Sequence, residues 1–518
     1  MSSTSVAFRV FRHLYRDSVA LMQLAAALRA IPGITQASCT MATPANLEQL
    51  RVADLAIDVA ADPSDLLVVV RGDPSACEHA LEHARASLEA QPQSESDEGA
   101  PFRTPITSIT AALDHGPRAD LALISVPGDY AAAEALKALA CGLDAMIFSD
   151  NVPIAEERAI KAYARSHGRL VMGPDCGTAI INGIPLGFAN VVRRGAIGLV
   201  AASGTGLQEV TCRIHNLGLG VSQAIGTGGR DLHEEIGGLT MLQALEALAE
   251  DDQTCVIVLI SKPPAPAVAQ RVLRAASLCG KPVVVHFLGA AATLHERHVH
   301  NAQSLRHAAD VAVELARGRP APTASEIAVD RAWLDDHAGR VSPTQRYARG
   351  LFTGGTFCYE AQLLFLAQGL RCRSNTPAHG ASELHETLDG NLFVDLGDDE
   401  FTRGRPHPMI DPSLRNQWVR AAGDDAGIAV LLVDLVLGYG AHPDPARDLV
   451  QALGDAQRRA HEHGRSITFI GHVCGTDGDL QDKSRQVAAL RGAGVSIADS
   501  NAHAAALAAA LVRQLTMA

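Results

Sequence analysis

Apolar and polar positions alternate from residue 5 to residue 11, the period of a half-buried strand. Residues 18–31 then carry apolar positions at helical spacing up to Pro32-Gly33. Residues 34–41 and 66–70 read as further strands and 75–89 as another helix. Together they predict a small α+β domain over residues 1–92. The stretch 91–105 (QPQSESDEGAPFRTP) is polar, acidic and proline-containing, which places a linker over 93–116.

From residue 121 the pattern changes. Short continuous apolar runs at 121–126, 145–148 and 170–172 alternate with helical stretches at 131–141 and 156–166. Continuous apolar runs are what strands buried on both faces need, so residues 117–193 predict a parallel, doubly wound sheet. A further α/β domain is expected over 194–318, with strands at 197–201, 220–224, 256–260 and 283–286 and helices opening near Gly206, Thr240 and Ala267. A connector over 319–346 leads to a final α/β domain over 347–518, whose clearest strands are 430–434 and 466–470.

One phrase occurs twice, about 150 residues apart: an apolar strand, a small-residue turn and a helix start. The copies are GLVAASGTGLQE from Gly198 and GLFTGGTFCYE from Gly350. A helix start leaves backbone N–H groups unpaired at its positive end, where an anion can sit. Ser203, Gly204 and Thr205, with Gly354, Gly355 and Thr356, are therefore candidate phosphate-binding residues. The competing view is two turns that use glycine for packing alone.

Composition narrows the field. The chain has 518 residues, 47% of them hydrophobic, and a formal net charge of −13, which argues against nucleic acid or anionic membrane as a partner. Its ten cysteines form no CxxC pair, so no metal site is expected; they read as reduced thiols of a cytoplasmic protein. No run is long and apolar enough to predict a membrane span.

Other motifs follow predicted strands. Gly226-Thr227-Gly228-Gly229-Arg230-Asp231 offers a flexible loop with one guanidinium. Arg230 could fork onto a carboxylate or phosphate, or pair with Asp231 or Glu234. In His407-Pro408-Met409-Ile410-Asp411-Pro412, His407 is a candidate acid/base, or a satisfied histidine in a stiff loop. Arg403 and Arg405 lie nearby. His472, Gly475 and Thr476 follow a strand end, where α/β sheets place ligands, and Asp434 ends a neighbouring strand. His295, His298, His300 and His307 read as an exposed polar helix.

Residues 121 to about 315 resemble the α subunit of succinyl-CoA synthetase, through VPGDYAAAEALKALACGLDAMIFSDNVPI, MGPDCGTAI, GAIGLVAASGTGLQEV, IGTGGRDL and KPVVVHFLGA. The whole chain resembles the FdrA-like proteins, through TPANLEQL, GPDCGTAI, SGTGLQEV, GTGGRDL, FTGGTFCYEA, HPMIDPSLR and GHVCGTDGD. The resemblance implies an α/β fold: a small N-terminal α+β domain, a Rossmann-like CoA-binding-type domain and two flavodoxin-like ligase-type domains. Through the FdrA-like proteins it implies a subunit of oxamate carbamoyltransferase, which phosphorolyses oxalurate to oxamate and carbamoyl phosphate in allantoin breakdown. That subunit would work in an oligomer with companion subunits. On this expectation phosphate lies between the two glycine-rich turns. Arg230, His407 and Asp411 are catalytic, and Gly228, Gly229, His472, Gly475 and Thr476 bind substrate. CoA remains a possible cofactor. The alternatives are an acyl-CoA ligase of the succinyl-CoA synthetase type and a non-catalytic scaffold subunit. The chain departs from the synthetases in two places. It has no GHAGA phosphohistidine phrase after KPVVVHFLGA, and Ser261-Lys262-Pro263-Pro264 stands where they carry an acidic residue.

Overall fold

The computed structural model describes residues 5–517 except 15, 17, 54, 58, 60, 63, 90–107, 291–297, 325–326, 385–389 and 403–405. The N-terminal unit comprises β1 (Ser5–Phe11), α1 (Ser18–Arg29), β2 (Ile34–Met41), α2 (Pro44–Val52), β3 (Leu66–Gly72) and α3 (Pro74–Glu89). Its strands form an antiparallel sheet in the order β1-β3-β2. Central β3 is completely buried from Leu66 to Val70, with α1 and α3 on one face and α2 on the other. The α2 helix starts on Thr43, whose side chain accepts from Asn46 N (3.2 Å), with Pro44 in the first turn. After α4 (Ile109–His115), which falls within the predicted linker, come β4 (Leu121–Ile124), α5 (Gly128–Ala140), β5 (Asp144–Ile147), α6 (Ile154–Ser166) and β6 (Val171–Met172). These three strands make a small parallel sheet.

The next elements are β7 (Thr178–Ile181), β8 (Ile184–Gly187), β9 (Arg194–Ala202), α7 (Gly204–Asn216), β10 (Val221–Gly226), α8 (Leu239–Glu250), β11 (Val256–Ser261), α9 (Pro266–Leu278), β12 (Val283–Phe287), β13 (Val299–Asn301) and α10 (Leu305–Ala316). Their sheet runs β13-β12-β11-β9-β10-β7-β8. It is parallel except for the β7–β8 hairpin, which adds antiparallel to β10. After α11 (Arg331–Ala338) follow β14 (Tyr347–Phe352), α12 (Gly355–Ala367), β15 (Cys372–Ser374), β16 (Ser382–Glu383), β17 (Asn391–Asp395), α13 (Asp399–Thr402), α14 (Ser413–Ala422), β18 (Ile428–Val436), α15 (Pro445–Glu462), β19 (Thr468–Cys474), α16 (Lys483–Gly492), β20 (Ser496–Ala498) and α17 (Asn501–Met517). This sheet, β16-β15-β17-β14-β18-β19-β20, is parallel throughout.

The two large sheets sandwich a shared layer of helices. Leu199 and Val258 of one sheet, Phe352 and Val430 of the other, and Val210, Ala309, Phe357 and Ala508 of α7, α10, α12 and α17 belong to one continuous core. The outer faces are closed separately, by α8 and α9 on one side and by α14 and α15 on the other. The halves repeat one plan. Ile260 pairs with His286 across β11 and β12, and Asp434 pairs with His472 across β18 and β19, so the two histidines occupy the same place. Each turns Nδ1 to the backbone carbonyl of the adjoining edge, Ala302 (3.0 Å) and Ala498 (3.4 Å). Among the described residues no helix is long and apolar enough to cross a membrane.

Candidate functional site

The C-terminal ends of β9, β11, β14, β17 and β18 open onto one cleft, where parallel sheets place ligands. Two helix starts meet there. Ser203 caps α7 by accepting from Gly206 N (3.0 Å), and its hydroxyl lies 2.6 Å from that of Thr356 in α12. A Cβ on Gly354 would sit 2.7 Å from Thr205 Cγ2. Ser203, Gly204, Thr205, Gly354, Gly355 and Thr356 are thus brought together. Among the described residues, the backbone N–H groups of Gly204, Thr205, Gly355 and Thr356 have no protein acceptor. Four orphan donors at two positive helix ends are the arrangement that suits an anion.

The α12 start is held from behind. Asp434 accepts from Thr353 N (2.8 Å), Thr353 Oγ1 (2.9 Å) and Gly354 N (2.9 Å). Burial raises its pKa against the pull of fully buried Arg415, which donates to Asp434 O at 2.8 Å. Lys262, at the end of β11, places Nζ 3.2 Å from the Cβ position of Gly355. It makes no salt bridge or hydrogen bond among the described residues. Asp395 ends β17 and accepts from Gly397 N at 3.0 Å. Burial pushes its pKa up to about 6, with Lys262 pulling the other way. Asp175, on the loop after β6, is driven to about 7, by burial and then by Asp150 and Asp399, with Lys262 and Arg230 opposing. Two carboxyls here can therefore hold a proton near neutral pH.

His407 reaches this cleft. Its Nε2 lies 2.7 Å from where a Cβ on Gly397 would sit, and its ring packs against Phe188 at 5.9 Å. Burial lowers its pKa to about 4, so the imidazole is neutral at pH 7. Gly229 edges the cleft beside Asp175, while Gly228, at φ +83°, is packed against Pro174 O. Arg230 binds neither Asp231 nor Glu234: it pairs with Glu157 (2.9 Å) and donates to Val152 O (2.7 Å) on the cleft's flank. Asp231 is buried against Lys161 (2.8 Å) and receives two N–H groups opening α8.

Four expected residues lie elsewhere. Asp411 pairs with Arg29 of α1 and accepts from Ser413 N (2.9 Å), so it ties the N-terminal unit down and orders the α14 start. His472 is buried against Glu209 (2.7 Å) beside a separate cavity of about 330 Å³ that the buried Cys212 and Cys474 also line. Gly475 gives its carbonyl to Lys483 (2.8 Å), and Thr476 binds Val191 O (2.6 Å) and Asp479 (2.7 Å). All three belong to the contact between the large halves, because a strand end opposite a neighbouring helix is filled by that helix. Arg403, Arg405 and His295 lie outside the described residues. His298 and His300 are at an edge strand and not on a helix, and His307 lies in α10. Sequence reading passed over Lys262 and Asp395 as site residues, although Lys262 directly follows an apolar strand and Asp395 ends one; the loop 173–178 that carries Asp175 reads from sequence as lying where such folds put ligands.

Comparison with known proteins gives three family matches: a CoA-ligase model over residues 351–511, a CoA binding domain over 193–289, and "AllF, heavy metal-associated domain" over 3–103. In the last region, as elsewhere among the described residues, no group of three His, Cys, Asp or Glu is arranged to hold a metal ion. The uncharacterized protein YahF of Escherichia coli (strain K12) is 41% identical over 512 residues, 97% of this chain and 98% of that one. The succinate–CoA ligase [ADP-forming] α subunits of Staphylococcus aureus (strain N315) and Aquifex aeolicus (strain VF5) are each 29% identical over 150 residues, 28% of this chain and 48% of theirs. The solved apo structure of a dinucleotide-forming acetyl-coenzyme A synthetase 1 from Ca. Korarchaeum cryptofilum aligns over 78% of this chain and 86% of its own, at 17% identity and a TM-score of 0.33. These findings correct the carbamoyltransferase expectation. The half that carries α12 matches a CoA-ligase model and the half that carries α7 matches a CoA binding domain, which aligns the chain with CoA ligases and not with carbamoyl transfer.

Proposed function

The chain belongs to the family of YahF, an FdrA-like acyl-CoA synthetase family related to succinyl-CoA synthetase, and on that premise we propose that it is an acyl-CoA ligase whose central step exchanges an acyl group between CoA and phosphate. The observation that carries the proposal is the set of four N–H groups beside the Lys262 side chain, none of which has a protein partner among the described residues.

In this reading inorganic phosphate sits between the starts of α7 and α12. One of its oxygens attacks the thioester carbon of an acyl-CoA, the two reacting atoms being held about 3–3.5 Å apart. The C–S bond breaks, acyl phosphate forms and CoA leaves as a thiolate. The proton of hydrogen phosphate passes to that thiolate, and Asp395, with a pKa of about 6, is suited to carry it. The reverse direction makes acyl-CoA. Helix ends and Lys262 neutralise phosphate and the oxyanion formed on the way, an effect worth about 3–4 kcal/mol per well-placed donor. This exchange needs no phosphohistidine, which suits a chain without the GHAGA phrase.

The test incubates the full chain with acetyl-, propionyl- and succinyl-CoA, with and without phosphate. Free thiol is followed, and acyl phosphate is trapped with hydroxylamine. Phosphate-dependent thiol release that disappears in Lys262→Met supports the reading. No phosphate-dependent release from any of the three, together with no calorimetric binding of CoA, refutes it.

A further inference from the structure

A cavity of about 380 Å³ lies between three units of the chain: β2 and α2 of the N-terminal unit, the C-terminal ends of β4 and β5, and α13. It adjoins the cleft, because Asp150 and Asp399, which line it, are the carboxylates that crowd Asp175 beside Lys262. An acyl substrate held at the anion seat would therefore extend its far end into this cavity.

The walls present acceptors. Besides Asp150 and Asp399, the lining includes Asp129 and Glu48, the latter paired with Arg51 (2.7 Å), and Asn46, which donates one amide N–H to Met41 O (2.9 Å) and has its side-chain oxygen to accept. Gln49 and Asn151 add further amides. The guanidinium of Arg16 also reaches the lining, but it donates to Leu88 O at 2.9 Å. A second carboxylate entering this space meets like charge at short range, whereas an N–H donor meets partners. The cap on α2 and the Asp411–Arg29 pair hold the N-terminal wall in place.

We infer that this cavity is the acyl-group pocket, that the N-terminal unit forms one wall of it, and that it selects substrates whose far end carries N–H donors, such as an amide or ammonium, over dicarboxylates. The inference rests on the acyl-exchange reading for its role in turnover, but its binding preference stands or falls separately.

The experiment compares succinate with succinamate, which differ by a carboxylate against an amide of the same shape. Binding to the full chain is measured by calorimetry, without CoA. Succinamate is expected to bind about tenfold tighter or more. The double substitution Asp150→Asn with Asp399→Asn should reduce that preference severalfold while circular dichroism is unchanged, and Asn46→Leu should weaken succinamate alone. Equal or tighter binding of succinate, a preference that the double substitution leaves undiminished, or no binding of either compound overturns the inference. None of these readouts depends on thioester exchange, so failure of the exchange assay and failure of the pocket assignment are distinguishable.

Discussion

The two halves that carry α7 and α12 share one strand plan, and they hold their helix starts by different means. In the first half the cap is local: Ser203 accepts from Gly206 N and the β11 end supplies a cation, Lys262. In the second half Gly354 has no side chain to cap with, and Asp434 reaches across from β18 to hold Thr353 and Gly354. The histidine row diverges too. His472 pairs with Glu209, whereas Nε2 of its counterpart His286 has no hydrogen-bond partner among the described residues and Glu360 instead accepts from Leu305 N (2.9 Å) and Asn501 (2.8 Å). One half thus contributes Lys262 to the cleft and the other contributes Asp395.

The contrast can be broken most sharply at the caps. Asp434→Ala leaves buried Arg415 without its acid and three donors without their acceptor, and should cost about 3–5 kcal/mol in urea unfolding. Ser203→Ala removes one capping bond and should cost only about 1 kcal/mol. Equal losses would show that the two starts are held alike.

The acidic half should carry a pH signature of its own. Asp395 keeps its proton up to about 6 when folded, against 3.8 ordinarily, so the folded chain binds the extra proton between those values. Its contribution to stability is therefore full at low pH and lost as pH rises through about 6. Asp395→Asn, which cannot titrate, should gain up to about 3 kcal/mol on the native chain between pH 4 and pH 7 in paired unfolding curves. His407, lowered to about 4, acts with the opposite sign, so only this difference between variants isolates Asp395.

Glycine separates the halves more gently. A Cβ on Gly355 falls 2.3 Å from Asp395 Oδ2, while one on Gly204 meets only Thr178 Oγ1 at 3.5 Å. Gly355→Ala should destabilise by about 1–3 kcal/mol and Gly204→Ala by less than about 0.5 kcal/mol, read from thermal midpoints.

Much of the architecture was legible because buried parallel strands advertise themselves as continuous apolar runs, as in VIVLI of β11 and IAVLLV at the start of β18. The paired turns were legible because a repeated small-residue phrase has few other uses. The α2 helix was not, since PANLEQLRV begins with proline and carries little apolar periodicity. His472 and Asp411 misled for one shared reason. A histidine or aspartate at a strand end looks the same whether it faces solvent, a ligand or a neighbouring helix, and here Glu209 and Arg29 fill the facing space. Lys262 was noticed only as a departure from the synthetase pattern, because its worth depends on Gly355, a residue almost a hundred positions away that only the fold brings near.

The central claim is that two helix starts make one anion seat, and titration of inorganic phosphate into the native chain by calorimetry addresses it directly. The account predicts one phosphate per chain. Gly204→Val, where space allows folding, should abolish binding alone, as should Gly355→Val, and Lys262→Met should weaken it about ten- to hundredfold. Two independent phosphates per chain, or one that survives either valine substitution in a folded protein, would contradict it.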